Sequence, residues 1–386
     1  MHVISLDAAK AFDKMWREGL FYKLRNVVDP GIWRLLVNYY NKSSVIVNVD
    51  GKCSSCFKTT QGVKQGGILS PFLFNFFMND LITSCLDLNV GALIGKSNVS
   101  CLAYCDDLLL LSPVKTHMDI LLKTCIGFSE DWKVRFNPDK SISYSLFRPE
   151  GASFEANDIS IPATELGFIY LGMPIGNHKF VVEHFNKKFA SVERAFYSLR
   201  GIGCSVGMLP PKSLAFIYKT YCQSICKYGM ECLYIDDKSL GVLNVRQNIL
   251  IKYVLGLDSR CRTKPLLHCL GVDQIGQLYH KHKLIGIKQV LKNELSANVF
   301  EWLKSSYTGP NKPSKRSFFF QIDKLNSFTG KEILSSSFII VKSLIDSNFS
   351  CYDGDLVDVV AHHLRCYTDQ DWYSASKVLK NVLSVV

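Results

Sequence analysis

The sequence predicts an α+β unit followed by an all-helical region, and three observations carry that prediction. Up to about residue 176, short apolar runs bounded by Gly, Pro and Asp alternate with longer helical patterns. Beyond about residue 180 the apolar spacing is helical almost throughout. The net charge of +11 is also concentrated: residues 181–300 hold 17 Lys and Arg against 8 Asp and Glu, whereas residues 1–180 hold 18 against 17. The expected organisation is therefore 1–177, then a basic helical segment 178–300, then a helical C-terminal region 301–386.

The elements follow in order. His2–Leu6 reads as a strand, and Asp7–Asp13 as the tight polar connection after it. Leu20–Val28 and Ile32–Tyr40 carry helical spacing, with Asp29-Pro30-Gly31 as the stop between them. Val45–Val49 alternates and Cys56–Thr60 returns, with Asp50-Gly51 where a hairpin turn belongs. Leu69–Leu88 is a long apolar helix. Ser100–Tyr104 and Leu108–Ser112 are apolar strands flanking Cys105-Asp106-Asp107. His117–Val134 is an amphipathic helix closed by Asn137-Pro138, and Ser141–Phe147 and Phe168–Gly172 are further strands. Pro210-Pro211 opens a helix, and Leu243–Leu255 and Ile275–Leu291 are others. Thr308–Ser317 is a polar link to a small helical piece.

Composition excludes several classes. With 47% hydrophobic residues the chain has the material for packed cores. No apolar stretch approaches the roughly 20 residues of a membrane span, and Met1–Leu6 lacks the pattern of a secretory signal. The 14 cysteines are scattered through apolar patterns, which predicts an intracellular, reduced protein. Cys53-x-x-Cys56 and the loose set Cys351, His362, His363 and Cys366 are incomplete as zinc motifs and read as ordinary residues. Lys312–Arg316 is a short basic cluster, a poor nuclear signal, so the compartment within the cell stays open.

Three aspartates stand out by position. Asp7 ends an apolar strand, and Asp106 and Asp107 occupy a turn between two more. Aspartate is a common turn former. Two adjacent like charges beside an apolar sheet, however, repel and resist desolvation unless a divalent cation sits among them. Hard oxygen ligands suit Mg²⁺, and paired ions would support in-line phosphoryl transfer. On the residues alone both readings stand. The basic 181–300 segment is equally open, as a solvated surface or as a phosphate-tracking one.

At this point the sequence resembles the reverse transcriptases of non-LTR (LINE) retrotransposons. Ser5–Asp13 is similar to their first carboxylate motif, and Ala103-Tyr104-Cys105-Asp106-Asp107 to their Tyr-x-Asp-Asp box. Gln61–Asn75 is similar to the glycine-rich motif and following helix. Asn137–Ser141 and Tyr170–Gly176 match the next two motifs, in order. The resemblance continues more weakly to about residue 295, through Leu209-Pro210-Pro211, Tyr228–Glu231 and Leu255-Gly256-Leu257. It implies a palm of antiparallel sheet with packed helices, a helical thumb and a C-terminal helical region.

The resemblance also implies roles. Asp7, Asp106 and Asp107 would hold two Mg²⁺ ions, with Mn²⁺ as a possible substitute, and Lys140 would act as proton donor on the pyrophosphate side. Phe12 would be the steric gate against a ribose 2′-OH; without the family it reads as a core residue. Gln65 and Gly66 would lie along the template and incoming base pair, and Leu171 and Gly172 would grip the primer end. The implied partners are an RNA template, a DNA primer and dNTPs, with no membrane. His117, His178 and His184 are given no role. The family has a fingers region before its first motif, and here Met1 lies six residues before Asp7. The expectation is that this chain alone polymerises poorly or not at all unless another chain or region supplies fingers. The alternative is a catalytically inactive nucleic-acid-binding remnant.

Overall fold

The computed structural model describes residues 1–146, 153–156, 159–204, 208–307 and 318–329. Its contacts divide the chain into two units, Met1–Asn177 and His178–Val386. The polar link 308–317, the Lys312–Arg316 cluster and the Cys351–Cys366 set lie outside the described residues.

The first unit opens with β1 (His2–Asp7), the short α1 (Ala11–Lys14), α2 (Arg17–Leu24) and α3 (Pro30–Asn41). Asp29 caps α3, its carboxylate accepting from the Gly31 and Ile32 amides, and Pro30 occupies the first turn, where its missing N–H costs nothing. The expected hairpin follows as two short ladders. β2 (Ser44–Val45) pairs with β5 (Phe57–Lys58), and β3 (Asn48–Val49) with β4 (Lys52–Cys53). Between the ladders the Ser54 amide still donates to the Val47 carbonyl, while the Val47 amide donates to the Ser54 hydroxyl in place of a backbone carbonyl. Asp50 and Gly51 both have positive φ, as a type I′ turn requires.

Next come α4 (Ser70–Asp87), the small hairpin β6 (Leu93–Ile94) and β7 (Ser97–Asn98), then β8 (Cys101–Tyr104), β9 (Asp107–Ser112) and α5 (Lys115–Asp131). The unit closes with β10 (Ile142–Ser145), β11 (Phe154–Ala156), β12 (Ile159–Ile161), β13 (Ala163–Thr164), β14 (Gly167–Tyr170) and β15 (Met173–Gly176). The central sheet has the order β13-β10-β1-β9-β8. All its pairings are antiparallel except β10 with β13, a two-residue parallel edge that the sequence did not signal.

Strand alternation sends side chains to two cores. Ile4, Leu6, Leu108 and Leu110 join Phe74, Phe77 and Leu81 of α4 and Leu121 and Leu122 of α5. Val3, Leu109 and Tyr144 face the other way and meet Phe168 of the β14–β15 hairpin. Both faces of the sheet are therefore covered, which holds β1 and β9 rigidly. The edge strand β8 is exposed over Leu102–Tyr104.

The second unit is helical throughout its described residues. It comprises α6 (His178–Gly201), α7 (Pro211–Ile217), a π-type turn Tyr218–Cys222, α8 (Gln223–Lys227), α9 (Asp237–Val254), α10 (Lys264–Cys269), α11 (Ile275–Val290), α12 (Glu294–Ser305) and α13 (Phe318–Thr329). Phe185, Phe189, Val192 and Phe196 recur at helical spacing on α6 and are buried. Arg246 of α9 grips Glu193 of α6 through two hydrogen bonds of 2.9 and 2.7 Å, a fork geometry only arginine offers. Leu284, Ile287, Phe300, Phe319, Ile322 and Leu325 form a smaller core joining α11, α12 and α13.

Candidate active site

Strand register sets the carboxylates. Asp7 at the end of β1 is directly opposite Asp107 at the start of β9. Tyr104 of β8 also pairs with Asp107, which leaves Cys105 and Asp106 as the two residues of a tight hairpin. Cys105 has φ +53° and Asp106 does not have positive φ, the pattern of a type II′ turn whose first position favours glycine. A non-glycine residue held there costs about 1–3 kcal/mol.

All three carboxylates are half-buried. Burial first, and then the charges of Asp106 and Asp7, raise the pKa of Asp107 above the usual carboxylate value. Among the described residues no set of three or more His, Cys, Asp and Glu side chains is already gathered as a ligand cage. Mg²⁺ needs none, since it takes one or two carboxylates and completes its shell with waters and phosphate oxygens. Hard oxygen donors with unrelieved mutual repulsion fit such an ion.

The segment 135–141 braces the end of β1. The Asp7 amide donates to the Ser141 hydroxyl (3.2 Å), the Asn137 amide to the Asp7 carbonyl (2.8 Å) and the Ala9 amide to the Arg135 carbonyl (2.7 Å). Lys140, adjacent to Ser141, is exposed in the turn that leads into β10.

Phe12 is half-buried, and its ring stacks on Phe74 with centroids 4.9 Å apart at 24°. The contact with Phe74 places one face of the ring in the core. The segment carrying Gln65 and Gly66 is tied to it: the Val63 amide donates to the Phe12 carbonyl, the Gly62 amide to the Met15 carbonyl and the Gln65 side-chain amide to the Asp13 carboxylate, each at 2.8 Å. Gly66 has φ +76° and opens to free space, whereas a Cβ on Gly62 would lie 2.4 Å from the Asp13 carbonyl oxygen. Within the chain, close backbone approach is the requirement at Gly62, a glycine to which the sequence reading assigned no role.

Leu171 and Gly172 form the turn between β14 and β15 and have φ of +47° and +73°, again type I′. Tyr170, just before them, donates its hydroxyl to the Asp107 carbonyl at 3.1 Å. Burial, with Asp107 next in importance, pushes the phenol up to about 12, so it remains a donor at neutral pH. Tyr170 therefore joins this hairpin to the carboxylate strand; a tyrosine inside a strand pattern carries no signal of that.

In the second unit the excess charge is partly spent internally. Arg246 is paired with Glu193, Lys188 donates to the Tyr228 carbonyl and Lys283 is 1% exposed. Lys187, Arg194, Arg200, Lys212, Arg260, Arg262 and Lys264 are exposed. Cys53 and Cys56 are exposed free thiols. Among the described residues no helix is long and apolar enough to cross a membrane.

Comparison with known proteins defines the class. Residues 1–175 match the family model for "Reverse transcriptase (RNA-dependent DNA polymerase)", so this part of the chain is a reverse transcriptase domain. The chain is 24% identical over 292 residues to the RNA-directed DNA polymerase from mobile element jockey of Drosophila melanogaster, covering 70% of this chain and 30% of the relative. It is 31% identical over 146 residues to the Retrovirus-related Pol polyprotein from type-2 retrotransposable element R2DM of Drosophila melanogaster, covering 38% and 14%. The chain is thus similar to non-LTR retrotransposon (LINE-type) reverse transcriptases, and it spans less than a third of the length of these two relatives. Among solved structures, a Candida tropicalis telomerase in complex with a fragment of telomeric RNA matches at 12% identity and a TM-score of 0.37, over 78% of this chain and 49% of that one. Reverse transcriptases in general use divalent metals.

Proposed function

We propose that residues 1–177 are a palm that performs RNA-directed DNA synthesis, adding a dNTP to a primer 3′-hydroxyl on an RNA template. The observation that carries this reading is the register that sets Asp7 opposite Asp107, with Asp106 on the adjoining turn. Asp7, Asp106 and Asp107 would hold two Mg²⁺, which when bound supply charge stabilisation for in-line transfer. Phe12 limits the space at the sugar, and Gln65 and Gly66 border the base pair. Lys140 donates a proton on the pyrophosphate side. The Leu171-Gly172 turn, tied to the carboxylate strand through Tyr170, orients the primer end. Residues 178–300 act as the thumb and connection, holding duplex through phosphates in a manner that weakens with salt. Residues 301–386 form a C-terminal region to which no role is assigned.

A second reading, a nucleic-acid-binding remnant without synthesis, is favoured by the exposed cations of residues 181–300. Primer extension on poly(rA)·oligo(dT) with dTTP and Mg²⁺ separates the two. Slow synthesis that vanishes in Asp106→Ala supports the polymerase. Absent synthesis with tight, salt-sensitive binding of the same duplex supports the remnant.

A further inference from the structure

Arg17 is 6% exposed, at the first turn of α2, where a charged residue would ordinarily face water. Among the described residues no carboxylate partners it. Its Nε donates to the Gly62 carbonyl at 2.6 Å. One terminal nitrogen donates to the carbonyls of Tyr40, at 3.3 Å, and Thr59, and the other to the Thr59 hydroxyl at 3.0 Å. The guanidinium also lies over the Tyr40 ring, 5.1 Å from its centroid. One side chain thus gathers the start of α2, the end of α3 and the stretch Thr59–Gly62.

Two of these segments adjoin Phe12 and Gln65–Gly66 in the chain. Phe12 lies five residues before Arg17, and Gln65 three residues after Gly62. The Gly62 and Val63 amides bond back to Met15 and Phe12. The Gly62 carbonyl points the other way, to Arg17. The peptide at Gly62 is therefore held from both sides, and the absence of a Cβ there allows it to sit against the Asp13 carbonyl. A rigid planar fork with five N–H donors can satisfy several carbonyls at fixed angles, which a lysine ammonium or an apolar side chain cannot.

We infer that Arg17 is a positioning residue for nucleotide selection: by fixing Gly62 against Phe12 it sets the gap between the Phe12 ring and the Gln65–Gly66 segment into which the nucleotide sugar fits. Arg17 touches no substrate in this arrangement and acts through Phe12 and the Gln65 segment. The inference rests on the polymerase reading above.

The test is single-turnover addition of one nucleotide to oligo(dT) on poly(rA), with the full chain in excess over duplex and Mn²⁺ as the metal, so that slow synthesis is measurable. Wild type, Arg17→Lys and Arg17→Met are compared with dTTP and UTP. The expected result is an apparent KM for dTTP about tenfold higher in the variants, a dTTP-over-UTP preference about tenfold lower, and a maximal rate within about threefold of wild type. Simple destabilisation would lower the active fraction and leave KM and preference unmoved. Should Arg17→Met fail to fold, judged by circular dichroism, Arg17→Lys carries the comparison and Thr59→Val, which removes only the hydroxyl partner, supplies a milder step in the same direction. A folded variant with wild-type KM and preference overturns the positioning role alone. Wild type without any synthesis overturns the polymerase reading, and this inference with it.

Discussion

At the end of β1, Asp7, Asp106 and Asp107 crowd together half-buried, and their repulsion contributes to the raised pKa of Asp107. A short way along the chain, Lys23 is handled in the opposite manner. Its side chain is 6% exposed and its ammonium is 2.9 Å from Asp80, 2.7 Å from the Phe77 carbonyl and 3.7 Å from the centroid of Trp132, with the Phe77 and Phe128 rings at 4.9 Å. Lys23 is a finished interaction. It joins α2 to α4 and α5, and nothing further is needed to satisfy it. The aspartates are an unfinished one, stable only because β1 and β9 are held by cores on both faces of the sheet. The difference teaches where a ligand belongs: at charges the fold has gathered without compensating.

The strongest way to break that comparison is to delete one member of each set. Asp7→Ala should reduce primer extension by more than about 100-fold, while the midpoint of thermal unfolding in metal-free buffer stays level or rises. Lys23→Ala should do the reverse. It removes packing against the Phe77, Phe128 and Trp132 rings and the ion pair with Asp80, at about 2–3 kcal/mol, which lowers the midpoint by on the order of 5–10 °C. Synthesis per folded molecule should change little. Equal loss of stability in the two variants would show that the aspartates are structural.

Lys283 sharpens the contrast in the second unit. Its ammonium donates to the Glu231 carbonyl at 2.8 Å and faces the rings of Tyr279 and Phe318, and burial pulls its pKa down to about 8. The folded chain releases this proton near pH 8, whereas an unfolded lysine keeps it to about pH 10.4. Between those values the unfolded state binds more protons, so stability rises with pH. Relative to Lys283→Met, wild type should gain about 2 kcal/mol across that window. Urea titrations of both proteins at pH 7.5 and 10 measure it. Parallel pH responses would mean that Lys283 stays charged, with water reaching it.

Much of this was legible in the sequence because it depends on local rules. Short apolar runs ending at Asp7 and starting after Asp107 give two strands whose ends carry the carboxylates, and Asp50-Gly51 gives a hairpin turn. The motif order gave the resemblance to reverse transcriptases, and the region that matches their family model ends at residue 175, just before the break between the two units. What stayed hidden depends on distant partners. Nothing in the sequence singles out Arg17 or Lys23, because the carbonyls that receive them lie 23 to 54 residues away. Tyr170 looks like an ordinary strand residue until the fold brings it to Asp107, 63 residues earlier in the chain. The net charge of residues 181–300 could not show that Lys188, Arg246 and Lys283 are turned inward.

The smallest expected effect concerns Leu171, where turn chemistry and function pull apart. A type I′ turn requires positive φ at both central residues and favours Asn-Gly. Gly172 complies, whereas Leu171, at φ +47°, is a γ-branched residue in a region that leucine seldom adopts. Leu171→Asn should therefore stabilise the fold by about 0.5–1 kcal/mol, seen as a rise of about 1–4 °C in the unfolding midpoint. If Leu171 is there for the primer, the same change should weaken duplex binding or slow extension several-fold. Higher stability with impaired extension would mark the leucine as strain retained for function. Higher stability with unchanged extension would remove Leu171 from the site and leave the hairpin's tie to Asp107 through Tyr170 as its remaining contribution.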